Sequence, residues 1–517
     1  MSLSRLSRRP SAGVAGRLIA TRSLAALDEL RVPYEENPNG PGDQWACLRA
    51  LDADRSLRWF TGHGGEMADG WSLGAIRIWA RVACDETVAA LASSSPGDWV
   101  RETPIVDRDG AVRSWVWRAS DGGTILPFDP DQAIANLRSE RYLGLQQRRA
   151  TRFAEWERRA YYGIRPMLPR SVQIALRRAF SRVQARTTFP RWPVETSLHD
   201  LVDLVLERAA DAAGEPLPFV APWPRGRSWA LVLTHDVETE RGRDAIEMVR
   251  AVEEALGLRS AWNLVPERYA VPDSLVEHLK ATGCEVGVHG LRHDGRDLES
   301  WDTPRSRLPA MQRWGRRWGA TGFRSPSTHR VWEAMPKLGF AYDSSYPDTD
   351  PFEPMAGGCC SWLPFFNQDL VELPITLTQD HSLFVILRRD ESLWREKVEF
   401  LRARGGMALS IVHPDYMLEE GRLDAYARLL AFCRNDPEVW TPLPHEVADW
   451  WRRRAATSLR LVQGAWQPHG PAAGEIAVTY ALPGEERDEG SASTWSNGLG
   501  RPSVSRPVGS VAASRAW

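Results

Sequence analysis

Residues Trp229–Glu238 read WALVLTHDVE, an apolar run that ends in a group of ionisable side chains. A short continuous apolar run is typical of a strand that is buried on both faces, as in a parallel sheet. Six further runs of this kind follow along the chain. The seven predicted strands are Trp229–Thr234, Ser260–Val265, Glu285–His289, Gly322–Pro326, Ala341–Tyr346, Val371–Leu377 and Met407–His413.

Amphipathic segments lie between several of these strands. Asp244–Leu256 places Ile246 and Val249 on one side at helical spacing. Ser274–Thr282 is a second segment of this kind. Alternating strands and helices predict an α/β fold with a parallel sheet, and seven such strands are enough to close as a β/α barrel.

Ionisable side chains occur at the ends of four of the seven strands. In a parallel barrel the active site lies at the carboxyl ends of the strands, so these side chains are expected to meet. Residues scattered independently would not be expected to gather there. They are Asp236 and Glu238 after the first strand, His289 and His293 at the third, Arg324 in the fourth and His413 at the seventh.

His289 and His293 form an HxxxH pair, and a carboxylate from another strand completes a set of two nitrogens and one oxygen. Such a set suits Zn²⁺ and related divalent metals and leaves coordination positions open for water and substrate. A bound metal of this kind activates water to attack a carbonyl carbon. A second carboxylate would be the general base, held ionised by Arg324, and His413 would protonate the leaving amine or alcohol.

Four segments match the motifs of a known family in the family's own order. They are THDVE (234–238), HGLRH (289–293), GFRSP (322–326) and LSIVH (409–413). They resemble the motifs of the polysaccharide deacetylases, also called carbohydrate esterase family four or NodB-homology proteins. The resemblance covers roughly 200 residues of the chain.

This resemblance implies a distorted seven-stranded β/α barrel of the NodB type and a metal-dependent hydrolase. The enzyme would remove an acyl group, such as acetyl, from a sugar or glycan precursor by cleaving a carbon–nitrogen bond other than a peptide bond. The metal would be zinc, with cobalt, nickel or manganese as alternatives. By the match, the catalytic residues are Asp236 as base, Arg324 to orient it and His413, and the metal ligands are Glu238, His289 and His293.

The first motif departs from the family's commonest form, in which two Asp residues are adjacent. Here one residue separates Asp236 from Glu238, as in the D-x-D and D-x-E variants of some branches. Because Glu is longer than Asp, either carboxylate remains open as the metal ligand.

A second set of features resembles a branch of the family found among surface-polysaccharide biosynthesis proteins. These are Glu372–Phe384, with the sequence ELPITLTQDHSLF, and the HPDY segment at 413–416. They suggest a role in cell-surface polysaccharide metabolism. Asp380 and His381 are candidates to reach the site from the sixth strand.

Composition separates the remainder of the chain from the predicted barrel, residues 219–455. We predict a disordered tail over 1–24, an N-terminal α+β domain of unknown role over 25–145, a helical connector over 146–218 and a mostly disordered C-terminal tail over 456–517. Within that last tail, Glu475–Tyr480, with the sequence EIAVTY, allows a short strand.

Charge and composition exclude several classes of protein. A net charge of -2 offers no electrostatic argument for nucleic-acid binding. No apolar run approaches the roughly 18 residues of a membrane-spanning helix. Arg17 and Arg22 interrupt the N-terminal apolar stretch, so no secretory signal is indicated, and six scattered cysteines without a CxxC pair fit a reducing compartment. The sequence therefore predicts a cytoplasmic protein with an acylated carbohydrate as substrate, and it names no protein partner.

Two other functions are consistent with the same residues. A barrel does not determine its substrate, and relatives of this fold hydrolyse amide bonds outside sugars. A catalytically inactive glycan-binding or scaffold protein would also retain the barrel, and Glu238 is the one hint in that direction.

Overall fold

The computed structural model describes residues 18–37, 44–51, 54–67, 70–146, 178, 188–294, 302–353 and 355–483. The chain divides into two units. The first unit comprises Met1–Gln132, Asp200–Ala221 and Ala455–Trp517, and the second unit comprises Ala133–His199 and Pro222–Arg454. Most of the predicted terminal tails and of the predicted helical connector lies outside the described residues, and the domain limits drawn from the sequence stay a prediction.

The described strands, numbered along the chain, are mostly short. They are β1 (Leu18–Ala20), β2 (Glu35–Glu36), β3 (Trp45–Ala50), β4 (Ser56–Phe60), β5 (Trp71–Leu73), β6 (Ile76–Ile78), β7 (Trp99–Val106), β8 (Val112–Ala119), β9 (Thr124–Leu126), β10 (Leu217–Val220), β11 (Trp229–Val237), β12 (Ala261–Leu264), β13 (Glu285–His289), β14 (Gly322–Arg324), β15 (Tyr342–Asp343), β16 (Phe365–Asn367), β17 (Leu370–Glu372), β18 (Met407–Val412), β19 (Val439–Trp440), β20 (Ser458–Val462), β21 (Ala465–His469) and β22 (Val478–Ala481).

The α-helices occur in both units, and a π-helix spans His381–Leu387. Within the described part of the chain, none is long and apolar enough to cross a membrane. The α-helices are Ala25–Glu29, Asp85–Ser93, Pro130–Arg138, Arg141–Gln146, Ser197–Ala213, Glu240–Asp244, Ile246–Ala255, Asp273–Ala281, Asp302–Trp318, Ser392–Arg404, Pro414–Met417, Arg422–Arg434 and Pro444–Ala455.

A nine-stranded sheet forms the centre of the first unit. Its strand order is β2-β1-β3-β4-β9-β8-β7-β5-β6, and most neighbours are antiparallel. Side chains along β3 alternate between buried and more exposed positions. This alternation is typical of a sheet with one face on the core and the other closer to solvent.

Segments far apart in the sequence complete the first unit. β10 pairs antiparallel with β22, and β20 forms a hairpin with β21. β20, β21 and β22 lie in the segment expected to be a mostly disordered tail, so residues 458–481 are more ordered than expected, although β22 overlaps the short strand allowed at Glu475–Tyr480. The reason is tertiary, because β22 finds its partner roughly 260 residues earlier in the chain and the polar composition of the tail does not reveal that pairing.

The second unit contains the sheet that begins with WALVLTHDVE. Its strand order is β16-β17-β15-β14-β13-β12-β11-β18, with β19 also pairing with β11. All neighbours from β17 to β18 are parallel, and β16 is an antiparallel edge strand. These seven parallel strands are the seven predicted from the sequence, and the bounds of β13 agree residue for residue.

The predicted barrel does not close as a continuous ladder of strands among the described residues. The chain after β17 still reaches β18, because the backbone N–H groups of Thr376 and Leu377 donate to the carbonyl oxygen of Leu409 at 3.3 and 3.0 Å. Pro374 lies between the end of β17 and these two donors. Proline has no backbone N–H and interrupts a ladder, which accounts for the irregular closure.

The core of the second unit surrounds this sheet. Every residue of β11 is buried. The helix Ile246–Ala255 packs Ile246 and Val249 into the core, and Asp273–Ala281 contributes Leu279. With apolar cover on both sides, the carboxyl ends of the strands are the positions left for polar side chains.

Candidate metal and catalytic centre

The carboxyl ends of neighbouring strands bring the predicted site residues together. Asp236 lies near the end of β11 and Glu238 follows it, His289 ends β13, and Arg324 ends β14. His413 directly follows β18, the other neighbour of β11. Five of the six residues predicted from the sequence therefore lie at one edge of one sheet, and the sixth, His293, lies four residues beyond the end of β13.

Glu238, His289 and His293 form a cluster with the geometry of a metal site. One possible ligand atom from each lies within 4.8 Å of the other two. The Oε1 atom of Glu238 is 2.8 Å from Nε2 of His293. Glu238 retains side-chain exposure of 23%, so the cluster is open to solvent on its carboxylate side.

A tight turn after β13 brings the two histidines of the HxxxH pair together. Gly290 and His293 both have a left-handed backbone, with φ of 62° and 53°. Glycine adopts this conformation readily, whereas for histidine it is uncommon. The turn places the two imidazole rings 5.1 Å apart, so the pair lies on a strand end and a turn rather than on one helix face.

The protonation of His289 suits a metal ligand. Its Nδ1 donates to the carbonyl oxygen of Arg324 at 3.0 Å, which leaves the lone pair on Nε2. Burial lowers the pKa of His289 to about 4, although Asp236 acts in the opposite direction. The Nε2 atom of His289 is buried without a hydrogen-bond partner, and the Nε2 atom of His293 faces Glu238 Oε1 at 2.8 Å. Two imidazole nitrogens beside a carboxylate fit a divalent metal with zinc-like preferences.

Asp236 is separate from this cluster and is held by other donors. Its Oδ1 accepts a hydrogen bond from Asn263 Nδ2 at 2.8 Å, and Arg324 Nη1 lies 3.4 Å from Oδ2. Its Oδ2 is 3.9 Å from Nε2 of His289. Of the two carboxylates left open by the sequence, Glu238 is the one that converges with both histidines.

Burial and charge act in opposite directions on both carboxylates. Burial raises the pKa of Asp236, but Arg324 and the nearby histidines outweigh it and the pKa is lowered overall. Burial also acts to raise the pKa of Glu238, and His293 with His413 holds it well below its usual range. Both side chains are therefore ionised at neutral pH.

His413 lies beside the cluster, next to Glu238. Proline at the first position of the helix Pro414–Met417 keeps His413 extended, with φ of -97° and ψ of 122°. Its Nδ1 donates to Asp380 Oδ1 at 2.7 Å, and its Nε2 lies 3.6 Å from Glu238 Oε1. Burial alone would lower the pKa of His413, but Asp380 and Glu238 raise it well above its usual value.

The two extra candidates from the sequence have different positions. Asp380 is fully buried and holds His413 through both carboxylate oxygens. The ring of His381 lies 5.1 Å from the ring of Tyr416, and it is not among the ligand cluster. Sequence reasoning missed Asn263, although a polar residue inside the apolar run SAWNLV was a usable signal.

Comparisons with known proteins found solved structures that are similar to part of the chain. No family model matches the chain, and the search of curated proteins found no match. A protein assigned as a polysaccharide deacetylase from Mycobacterium smegmatis shares 21% identity over 47% of this chain and 97% of its own, with a TM-score of 0.38. The PuuE allantoinase shares 17% identity over 44% of this chain and 92% of its own, with a TM-score of 0.37.

A family 4 carbohydrate esterase from Streptomyces lividans, solved with acetate, is also similar. It shares 12% identity over 50% of this chain and 98% of its own, with a TM-score of 0.29. The chain thus resembles polysaccharide deacetylases over about half of its length. At these low identities the chemistry follows only from the residues of the centre itself.

Proposed function

We propose that the second unit is a metal-dependent hydrolase that removes an acyl group, acetyl in the simplest case, from a sugar or glycan precursor. One observation carries this proposal. The buried, unpartnered Nε2 of His289 converges with His293 and Glu238. The ionised carboxylate of Asp236 and the protonated imidazole of His413 lie beside this cluster. Base, metal ligands and acid are thereby arranged around one point.

Glu238, His289 and His293 would hold the metal, with zinc the first candidate and cobalt, nickel or manganese as alternatives. When bound, a divalent metal supplies Lewis-acid activation of water and of the acyl carbonyl group. Glu238 supplies one negative charge, and the imidazole of His289 is uncharged because its pKa is about 4. This donor set leaves coordination positions for water and substrate.

Asp236 is suited to act as the general base. As an attacking water forms its bond to the acyl carbon, the π electron pair of the carbonyl group moves to its oxygen. One O–H bond of the water breaks at the same time, and the proton passes to Asp236. Arg324 supports this role because its guanidinium lies 3.4 Å from the carboxylate and favours the ionised form. The carboxylate must be ionised before it can accept that proton.

His413 is suited to act as the general acid. When the bond from the acyl carbon to the sugar nitrogen or oxygen breaks, the electron pair goes to the leaving atom. Nε2 of His413 then supplies the proton, since Asp380 already occupies Nδ1 and holds the ring protonated. The products are a carboxylic acid and a sugar with a free amine or hydroxyl.

Acetate release from acetylated sugars tests the proposal directly. Purified protein, supplied with each candidate metal in turn, is incubated with N-acetylated and O-acetylated oligosaccharides, and with small cyclic and linear amides. We expect acetate release from a sugar that is abolished in Asp236→Ala. Turnover confined to the amides would support the rival amide hydrolase, and glycan binding without turnover would support the non-catalytic rival.

A further inference from the structure

Three residues lie side by side across the centre of the second unit's sheet. In the strand register, Asp236 of β11 pairs with Asn263 of β12, and Asn263 pairs with Gly287 of β13. Paired residues of parallel strands project their side chains to the same face of a sheet. This register places the Asn263 amide directly beside Asp236, the proposed base. On the other side of Asn263, Gly287 has no side chain.

The amide of Asn263 distinguishes the two oxygens of Asp236. Asn263 is buried, and its Nδ2 donates to Oδ1 at 2.8 Å. Arg324 Nη1 lies at nearly equal distances from both oxygens, 3.5 Å from Oδ1 and 3.4 Å from Oδ2. Oδ1 thus has an additional close donor, while Oδ2 is the oxygen 3.9 Å from Nε2 of His289.

We propose that Asn263 is a positioning residue that reserves Oδ2 of Asp236 for proton transfer. This inference rests on the proposed function. An oxygen that accepts a close hydrogen bond is a weaker proton acceptor than one without such a close donor. The water therefore loses its proton to Oδ2, on the side of the metal ligands, and its oxygen bonds to the acyl carbon. Asn263 itself neither gains nor loses a proton.

Gly287 provides the room that Asn263 needs. A Cβ atom at position 287 would lie 2.1 Å from Oδ1 of Asn263, closer than Cβ atoms approach other atoms in real structures. The amide cannot retreat without losing its hydrogen bond to Asp236, because it is buried between the two strands. The position of the Asn263 amide therefore depends on the absence of a side chain at Gly287. A methyl group at position 287 should displace the amide.

A double-mutant cycle tests whether Gly287 acts through the Asn263 amide or only through ordinary packing. The proteins are wild type, Asn263→Ala, Gly287→Ala and the double variant, together with Asn263→Asp, which keeps the shape and removes the donor. For acetate release we expect kcat to fall about 10- to 100-fold in each single variant, as for other residues that orient a site. We expect KM to stay within about twofold and bound metal to match wild type.

Non-additivity is the decisive readout. Once residue 263 is Ala, a methyl group at 287 has no amide to displace, so the double variant should be no slower than Asn263→Ala. Losses that multiply in the double variant would overturn the link between Gly287 and Asn263. A wild-type kcat in Asn263→Asp would overturn the role of the amide as donor.

Asn367→Ala is the matched control. Asn367 is also buried in the second unit, and its Nδ2 donates to the carbonyl oxygen of Trp332 at 2.9 Å. We expect it to lower the melting temperature without lowering kcat. A fall in kcat as large as that in Asn263→Ala would overturn a specific role for Asn263.

Failure of the proposed function would look different. If wild type releases no acetate from any sugar, the proposed function fails at that point. Melting temperatures of the four proteins in the cycle still test the contact between Gly287 and Asn263, because a displaced amide also lowers stability. Coupled shifts would support the contact between residues 263 and 287, and strictly additive shifts would overturn it.

Discussion

Asp380 binds His413 twice. Its Oδ1 accepts from the imidazole Nδ1 and its Oδ2 accepts from the backbone N–H, each at 2.7 Å. Asp380 is completely buried, so the carboxylate cannot turn towards solvent. These two hydrogen bonds fix the positions of both the backbone and the imidazole ring of His413. Its Nε2 atom is then left facing Glu238.

Asp380→Asn should slow the reaction and change its pH dependence. We expect kcat to fall roughly 100-fold, within the range for general acid catalysis. Burial lowers the pKa of His413, and Asp380 is the strongest of the groups that raise it. An acid acts only while protonated, so rate is lost as pH rises through its pKa, and a lower pKa moves that alkaline limb to lower pH.

The pH profile of kcat for wild type and Asp380→Asn provides the check. The matched control is Asp436→Asn, because Asp436 is also buried and accepts from Trp229 Nε1 at 2.8 Å. It should lose stability and keep the alkaline limb. An alkaline limb that stays in place in Asp380→Asn would argue against His413 as the acid.

Arg324→Lys should be a poor substitution although it conserves charge. The guanidinium reaches Asp236 and also donates to Thr234 Oγ1 and Ser344 Oγ, at 3.2 and 2.8 Å. A single ammonium group does not reproduce this fork. We expect kcat/KM to fall roughly 10- to 100-fold.

The same variant should move the acidic limb of the profile to higher pH. Arg324 is the largest influence that lowers the pKa of Asp236 against the effect of burial. A base acts only while ionised, so rate is lost as pH falls through its pKa, and a weaker counter-charge raises that pKa. Measurement of kcat/KM against pH decides the point, and an acidic limb identical to wild type would count against Asp236 as the base.

Glu238→Asp should weaken metal binding. Its Oε1 lies 2.8 Å from Nε2 of His293, and loss of one methylene withdraws the carboxylate by about 1.5 Å. We expect the dissociation constant for Zn²⁺ to rise by on the order of tenfold or more, since ligand distances vary within about 0.2 Å in working sites. Competition with a chromogenic chelator measures the constant, and wild-type affinity in this variant would contradict the ligand role of Glu238.

Asp131 should make the stability of the first unit depend on pH. Burial, followed by the neighbouring Asp129, raises the pKa of Asp131 to about 7. An acid whose pKa is raised by folding contributes stability that is fully present below its unfolded value near 3.9, and this is lost as pH rises through about 7. The melting temperature should therefore fall between about pH 4 and pH 7, the window from the unfolded to the folded pKa, and level off above it.

Asp131→Asn is the corresponding test. The amide oxygen can still accept from the backbone N–H of Ala25, which donates to Asp131 Oδ1 at 2.8 Å. The variant should therefore fold and show a flatter dependence of melting temperature on pH. A slope as steep as that of wild type would show that another group is responsible.

The strands and candidate metal ligands of the second unit were predictable because their signals are local. Each parallel strand is a short apolar run, since both of its faces are covered, and β13 was predicted with its observed bounds. His289 and His293 are four residues apart, so the pairing of their rings depends on one turn. Asp236 and Glu238 are separated by one residue, and the approach of Glu238 rather than Asp236 to both histidines depends on three-dimensional geometry.

The remaining features depend on contacts between distant segments. Asn263 faces Asp236 only through the register of β11 and β12, which no local pattern specifies. The ladder of the second unit's sheet is interrupted near Pro374, and that effect depends on which strand would have paired there. In the first unit, β22 gains its order from β10, roughly 260 residues earlier.

Bound metal tests the central claim most directly. Stoichiometry is measured by mass spectrometry on wild type, on the His289→Ala/His293→Ala double variant and on His381→Ala, a nearby histidine outside the ligand cluster. We predict about one metal per chain in wild type and in His381→Ala, and none in the double variant. Wild type without metal after supply of zinc, cobalt, nickel and manganese, or a double variant that retains it, would contradict the metal centre proposed for Glu238, His289 and His293.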